Sequence, residues 1–203
     1  VAIELMATGQ WSGQGVVGPE ALLPALVEQV ERAHTVEIAA QVCQAARDVG
    51  ARVVHCTAET RPDGAGTAVN TRILAMADKL RRDGHAPIEA GSDGAQLMPA
   101  LGPDARDLVI PRLHGMTPFT STSLDQVLRN LGIRTVVVTG VSVNLGVFGL
   151  CLSAVDLGYQ VVLVRDAVAG VPADYADALI DNSLDLVTTV VSAADLLAVW
   201  ARD

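Results

Sequence analysis

Residues 135–164, TVVVTGVSVNLGVFGLCLSAVDLGYQVVLV, read as strand, helix and strand in succession. Residues 135–139 are all β-branched, three Val between two Thr, as suits a strand buried on both faces. Residues 144–157 are long enough for about four helical turns, and Gly158 follows where a C-cap belongs. Residues 160–164 form a second apolar strand. A helical return of this length joins parallel strands and not a hairpin, so the stretch specifies a βαβ unit.

The alternation extends in both directions. Further strands are predicted at residues 1–5, 52–57, 107–111 and 187–191, and further helices at 35–49, 67–82, 123–131, 173–184 and 193–200. Gly50, Gly84 and Gly132 mark helix ends as Gly158 does. The expected fold is a single α/β domain over residues 1–203, a doubly wound, six-stranded, mostly parallel sheet of order 3-2-1-4-5-6 with helices on both faces. The longest irregular stretches, 7–18 and 84–101, are candidate lids or interface loops. Ligands of such sheets bind beyond the carboxyl ends of the strands where the order reverses, which directs attention to the residues just after strands one, three and four.

Of the 203 residues, 50% are hydrophobic and 18% charged, which provides for a large core and excludes intrinsic disorder. The longest apolar run, residues 141–157, still contains Asn144 and Asp156 and falls short of the roughly 20 residues a membrane span needs. A formal charge of -9 repels phosphate backbones, and two Trp, two Tyr and two Phe leave few platforms for bases, so nucleic acid is not an expected partner. Cys43, Cys56 and Cys151 show no close pairing and no secretory segment precedes them, which predicts reduced thiols and a cytoplasmic location. Because the chain opens on Val1, its native start is expected to lie upstream. Among 14 basic residues Lys79 is the one lysine.

Several familiar motifs fail on context. Gly13, Gly15 and Gly18 spell G-x-G-x-x-G, but Pro19 and Pro24 follow and the second strand begins only near Arg52, too late for a tight dinucleotide-binding βαβ unit. A nicotinamide-dependent oxidoreductase would rest on that loop alone. Ser142 is not in G-x-S-x-G, and no histidine follows it to act as base. His34, His55, His85 and His114 form no metal-ligand spacing; His55, Glu59 and Asp63 straddle a strand end and a loop, and His55 reads as a core or strand-end histidine. No metal and no cofactor are expected. Cys43 and Cys151 fall within helices and Cys56 within a strand, the usual places of buried, inert thiols.

The block from Thr135 onward, with Gly140-Val141-x-x-Asn144 and Asp166-Ala167-x-Ala169-Gly170-Val171, resembles the isochorismatase-like hydrolase superfamily, also called the cysteine hydrolases. The likeness extends to the Gly91-Ser92-Asp93-Gly94 run, the VIPR segment ending at Arg112, and Phe119-x-x-Thr122-x-Leu124, so it covers essentially the whole chain. It implies three elements at the carboxyl edge of the sheet: a base Asp ending strand one, a Lys after strand three, and a nucleophilic Cys opening the helix after strand four. By this resemblance Glu4 occupies the Asp position, Arg112 the Lys position and Gly146 the Cys position, with Cys151 five residues on and facing another side of the helix. It also implies a cis peptide at Val141-Ser142, with the Ser142 and Gly146 amides left to polarise a substrate oxygen. Metal-dependent nicotinamidases of the superfamily carry Asp and His after strand two, where this chain has Glu59, Thr60 and Arg61.

The catalytic candidates are therefore Glu4, Arg112 and Gly146, and the substrate-binding candidates are Ser142, Val141, Asn144 and Arg61. Glycine offers no nucleophile, which closes the covalent thiol amidase route. The isochorismatase branch tolerates glycine there, because cleaving a vinyl ether needs a carboxylic acid to protonate the substrate and a water to attack. Glu4 is then the acid. A nearby Arg112 holds Glu4 ionised, the wrong direction for an acid, until an anionic substrate neutralises the guanidinium. Two readings follow. One is a hydrolase without the thiol acting on a small anionic molecule through a vinyl ether or related C–O or C–N bond, and the other is a catalytically inactive binding or interaction protein. The helix over residues 145–157 is apolar nearly all round, and with the resemblance it predicts a homo-oligomer, a dimer or larger.

Overall fold

A computed structural model describes the backbone of residues 2–4, 19–85 and 88–202, and the side chains from residue 25 onward within those limits. The strands are β1 (Ala2–Glu4), β2 (Val54–Ala58), β3 (Leu108–Arg112), β4 (Thr135–Val141), β5 (Gln160–Ala169) and β6 (Thr189–Val191), and every pairing between them is parallel. β2 with β3, and β4 with β5 and β6, make two ladders; the three residues of β1 bridge them in the order β3-β2-β1-β4-β5-β6. Winding reverses between β1 and β4, which is where an open sheet forms its ligand crevice.

The helices are α1 (Pro19–Arg32), α2 (Thr35–Asp48), α3 (Arg72–Arg82), α4 (Pro118–Ser121), α5 (Leu124–Asn130), α6 (Phe148–Asp156), α7 (Ala173–Asn182) and α8 (Ala193–Trp200). The period-two alternation of β4 divides the core between them. Val136 and Val138 pack with Leu124 and Leu128 of α5, Leu150 and Ala154 of α6, and Ile180 of α7. Val137 faces the other way, against Val42, Cys43 and Ala46 of α2 and Leu196 of α8. In α2 the fully buried Ala39, Val42, Cys43 and Ala46 recur at the three- and four-residue spacing of one helical stripe. Burying Val42 alone contributes about 1.5 kcal/mol. Gly50, Gly84, Gly132 and Gly158 all take the left-handed conformation expected at helix ends.

Four local expectations are corrected. Residues 19–32 form a helix that Pro24 obscured; Pro19 opens it at a position without an intrahelical donor, and Pro24 removes one bond in the second turn. The helix predicted from 67 begins at Arg72, where the Thr71 hydroxyl accepts the Leu74 N–H at 3.3 Å. The helix predicted from 144 opens instead as one π turn, Val143–Val147, before α6. β5 runs on to Ala169, past the predicted end at Val164, because the charges that follow find partners: Arg165 pairs with Asp177 and Asp181 of α7, and Asp166 accepts the Ala193 N–H at 2.8 Å, capping α8. The glycine motif at Gly13, Gly15 and Gly18, with the rest of the 7–18 loop, lies outside the described residues. Within the described residues no helix is long and apolar enough to cross a membrane.

Candidate active site at the carboxyl edge of the sheet

Strand register assembles the first part of the site. Glu4, the last residue of β1, pairs with Cys56 of β2 on one side and Gly140 of β4 on the other, and Cys56 pairs with Ile110 of β3. Arg112 ends β3 two residues beyond that row, opposite Ala58. With strands about 4.8 Å apart and a rise of about 3.3 Å per residue, the Cα atoms of Glu4 and Arg112 are about 12 Å apart. Arg112 is 4% exposed, and its carbonyl accepts the Glu59 N–H at 3.0 Å, which fastens the segment after β2 to the end of β3.

The end of β4 supplies the second part. Gly140 has a φ of 115°, a conformation closed to most side chains, and β4 and β5 shift register there. The Val141–Ser142 peptide is cis, as the family resemblance implies. In the π turn that follows, the Ser142 carbonyl takes the N–H groups of Leu145 at 3.2 Å and Val147 at 3.0 Å, passing over the Gly146 N–H between them. Gly146 itself is buried. The Val141 side chain is turned into a small core cluster with Leu26 and Ala169, so Val141 meets the edge through its backbone.

Asn144 is engaged inside the protein. Its Nδ2 donates to the Val171 carbonyl at 2.7 Å and its Oδ1 accepts the Val171 N–H at 2.9 Å. Beside it Gly170 has no room for a side chain, since a Cβ there would lie 2.2 Å from Asn144 Oδ1 and 2.9 Å from the Ala176 Cβ. The pattern around Asp166 and Gly170 was visible in the sequence, but this contact across 27 residues carries no local signal. Arg61 stands apart from the row. It pairs with Asp63 in its own loop at 3.0 Å, both about half exposed, and Arg61 with the Ala65 N–H holds the Asp63 carboxyl down at about 2.

The other titratable candidates lie in the interior. Cys43, Cys56 and Cys151 are all buried, and burial pushes Cys43 up to about 11, far from thiolate chemistry. Cys151 packs in the α6 core among Val138, Leu150 and Ala154. His55 is fully buried, with Nε2 2.9 Å from Asp107, whose carboxylate also receives two bonds from Arg47. Among the described residues no three His, Cys, Asp or Glu side chains gather as a metal site would require.

A description of the isochorismatase domain matches residues 20–195. The chain belongs to the isochorismatase family. It is 32% identical over 106 residues to the uncharacterized isochorismatase family protein YwoC of Bacillus subtilis, covering 50% of this chain and 56% of that one. It is likewise 32% identical over 147 residues to the ureidoacrylate amidohydrolase RutB of Methylorubrum extorquens, covering 68% of this chain and 59% of the relative. The chain thus spans little more than half the length of these curated relatives. The crystal structure of an isochorismatase family protein from Desulfovibrio vulgaris superposes with a TM-score of 0.76 at 25% identity, covering 99% of this chain and 98% of that one.

Proposed function

We propose that this member of the family is a hydrolase that works without a thiol, cleaving a vinyl ether or related C–O or C–N bond in a small anionic molecule. The observation that supports it most directly is the turn beyond β4: Gly146 is buried there, and Cys151, the nearest thiol along the chain, is packed into the α6 core. In this reading Arg112 anchors the substrate's carboxylate. Its charge is then shared with the substrate, and the Glu4 carboxyl gains the freedom to carry a proton. Glu4 protonates the vinyl carbon, water adds to the oxygen-stabilised cation and gives its proton back to the Glu4 carboxylate, and collapse of the resulting hemiketal, its hydroxyl proton passing to the leaving oxygen, releases an alcohol and a carbonyl compound. The Ser142 and Gly146 N–H groups polarise oxygen, Val141 contributes backbone, and Arg61 joins by exchanging Asp63 for a second acidic group of the substrate. The name of the M. extorquens relative keeps C–N bonds in ureido acids among the candidates.

A panel of carboxylate-bearing vinyl ethers, amides and ureas tests this. The expected result is turnover of one class that iodoacetamide leaves untouched. A companion variant, Gly146→Cys with Glu4→Asp and Arg112→Lys, is expected to acquire iodoacetamide-sensitive amide or urea cleavage. Turnover by the unaltered chain that a thiol reagent abolishes would overturn the proposal, and no turnover of any class would favour the inactive binding protein.

We also propose a homo-oligomer in a reducing, cytoplasmic setting. An odd number of cysteines, Cys43, Cys56 and Cys151, with no close pairing in the sequence supports the compartment. For assembly, Leu145 and Leu152, 43% and 37% exposed, leave an apolar stripe on the outer side of the turn and α6. Light scattering is expected to give at least twice the chain mass of 21.1 kDa, and a monomer mass would refute the assembly.

A further inference from the structure

We propose that Asn144 and Gly170 form a lock that positions the amide donors of the site, and that Asn144 serves there as a positioning residue and not as a ligand contact. The proposal rests on the site reading above for its catalytic consequence, but the lock itself stands on geometry. The Asn144 amide pairs with Val171 at two points, 2.7 Å through Nδ2 and 2.9 Å through Oδ1, as one peptide pairs with another. Gly170 makes this approach possible, because a Cβ there would fall 2.2 Å from Asn144 Oδ1 and 3.2 Å from the Val143 Cβ. The end of β5, the start of α7 at Ala176 and the π turn are thereby pressed together around one side chain and one missing side chain.

What the lock holds is the turn between Ser142 and Val147. Asn144 lies in the middle of it, two residues before Gly146, and the Ser142 carbonyl closes the turn by accepting the Leu145 and Val147 N–H groups. A five-residue π turn is not a self-sufficient element, and its amide directions depend on outside anchors. Asn144 is such an anchor. The orientation of the Gly146 N–H is in this way tied to β5 and α7, which contribute no group to the catalytic row.

The test separates the lock from the reaction. Amide hydrogen exchange, followed by NMR on the whole chain, is measured for Leu145, Gly146 and Val147 against Val136 and Val138 in β4 as an internal reference for global stability. Asn144→Ala is expected to accelerate exchange at Val147 by about tenfold or more, with the β4 amides changing less than about twofold. Gly170→Ala is expected to produce the same local pattern by expelling the Asn144 amide. The two changes are expected to be less than additive when combined, since without Asn144 the Oδ1 clash at Gly170 is gone. Equal acceleration at the turn and in β4, or no acceleration at the turn, overturns the lock whatever the enzyme does. With a substrate from the panel above, Asn144→Ala is expected to lower kcat about 10- to 100-fold with KM within about threefold. A rise in KM at constant kcat would make Asn144 a binding group and refute the positioning role. Absence of turnover in the unaltered chain would count against the site reading alone, because the exchange data decide the lock independently.

Discussion

Asp107→Ala is expected to destabilise the fold by about 3–5 kcal/mol, the usual cost of deleting one partner of a buried ion pair. Asp107, just before β3, is the hub of a network with side chains of Arg47, Asp107 and His55 that are 4%, 3% and 0% exposed. Arg47 reaches it through Nε at 3.1 Å and Nη2 at 2.7 Å, His55 through Nε2 at 2.9 Å, and the Asp104 N–H closes the set at 3.1 Å. Removing the carboxylate leaves a guanidinium and an imidazole buried without their acceptor. For a chain of this size the loss corresponds to a melting temperature lower by about 10 °C. Because the cost comes from orphaned charge, Arg47→Met with Asp107→Leu is expected to recover most of it. A change of under about 2 °C in Asp107→Ala would show that the network contributes little.

The same hub sets an acid limit. Burial pushes the Asp107 carboxyl up, but the hydrogen bonds from Arg47, His55 and Asp104 outweigh it and hold the group at about 2, below its ordinary value of 3.8. A carboxyl depressed on folding stabilises the native state above its unfolded value and loses that contribution as pH falls through the folded one. The affected window is therefore about pH 4 down to pH 2, and the contribution is about 2 kcal/mol. Urea midpoints taken across that window are expected to fall more steeply for the unaltered chain than for the Met/Leu double variant.

The architecture was legible where composition and period agree. The run at Val136, Val137 and Val138, the helix after it and the glycines at helix ends define a parallel α/β unit before any coordinate is known. Local rules failed where tertiary partners neutralise a signal. Arg165 and Asp166 look like a strand end, yet α7 and the N-terminus of α8 supply their partners and β5 continues to Ala169. Pro24 looks like a helix breaker, yet it sits early in α1 where the loss is one bond. At the site, the candidates Glu4, Arg112 and Gly146 came from the family resemblance, and strand register orders the first two along one edge. The roles of Asn144 and Gly170 did not follow, because a side chain pairing with backbone 27 residues away is invisible to period and motif alike.

Glu4→Gln is expected to lower kcat by about 10²–10⁴-fold on whichever panel compound is turned over, the range that a positioned acid or base supplies. Glutamine keeps the length and shape of the side chain and an oxygen that accepts hydrogen bonds, but it cannot give up or take a proton. If Glu4 acts only by pairing with Arg112, glutamine retains part of that contact, and Arg112→Met should then injure the protein at least as much as Glu4→Gln. If Glu4 moves the proton, the two variants separate. Arg112→Met removes the carboxylate anchor and is expected to raise KM by more than tenfold, an order of magnitude set by one charge-assisted contact, with a smaller change in kcat. Glu4→Gln is expected to change kcat and leave KM within about threefold. Glu4→Asp withdraws the carboxyl by about 1.5 Å and is expected to retain more activity than Glu4→Gln, because a misplaced acid still exceeds none. Full activity in Glu4→Gln, with its fold confirmed by an unchanged melting temperature, would transfer the proton step to water or to the substrate and end the catalytic role of Glu4.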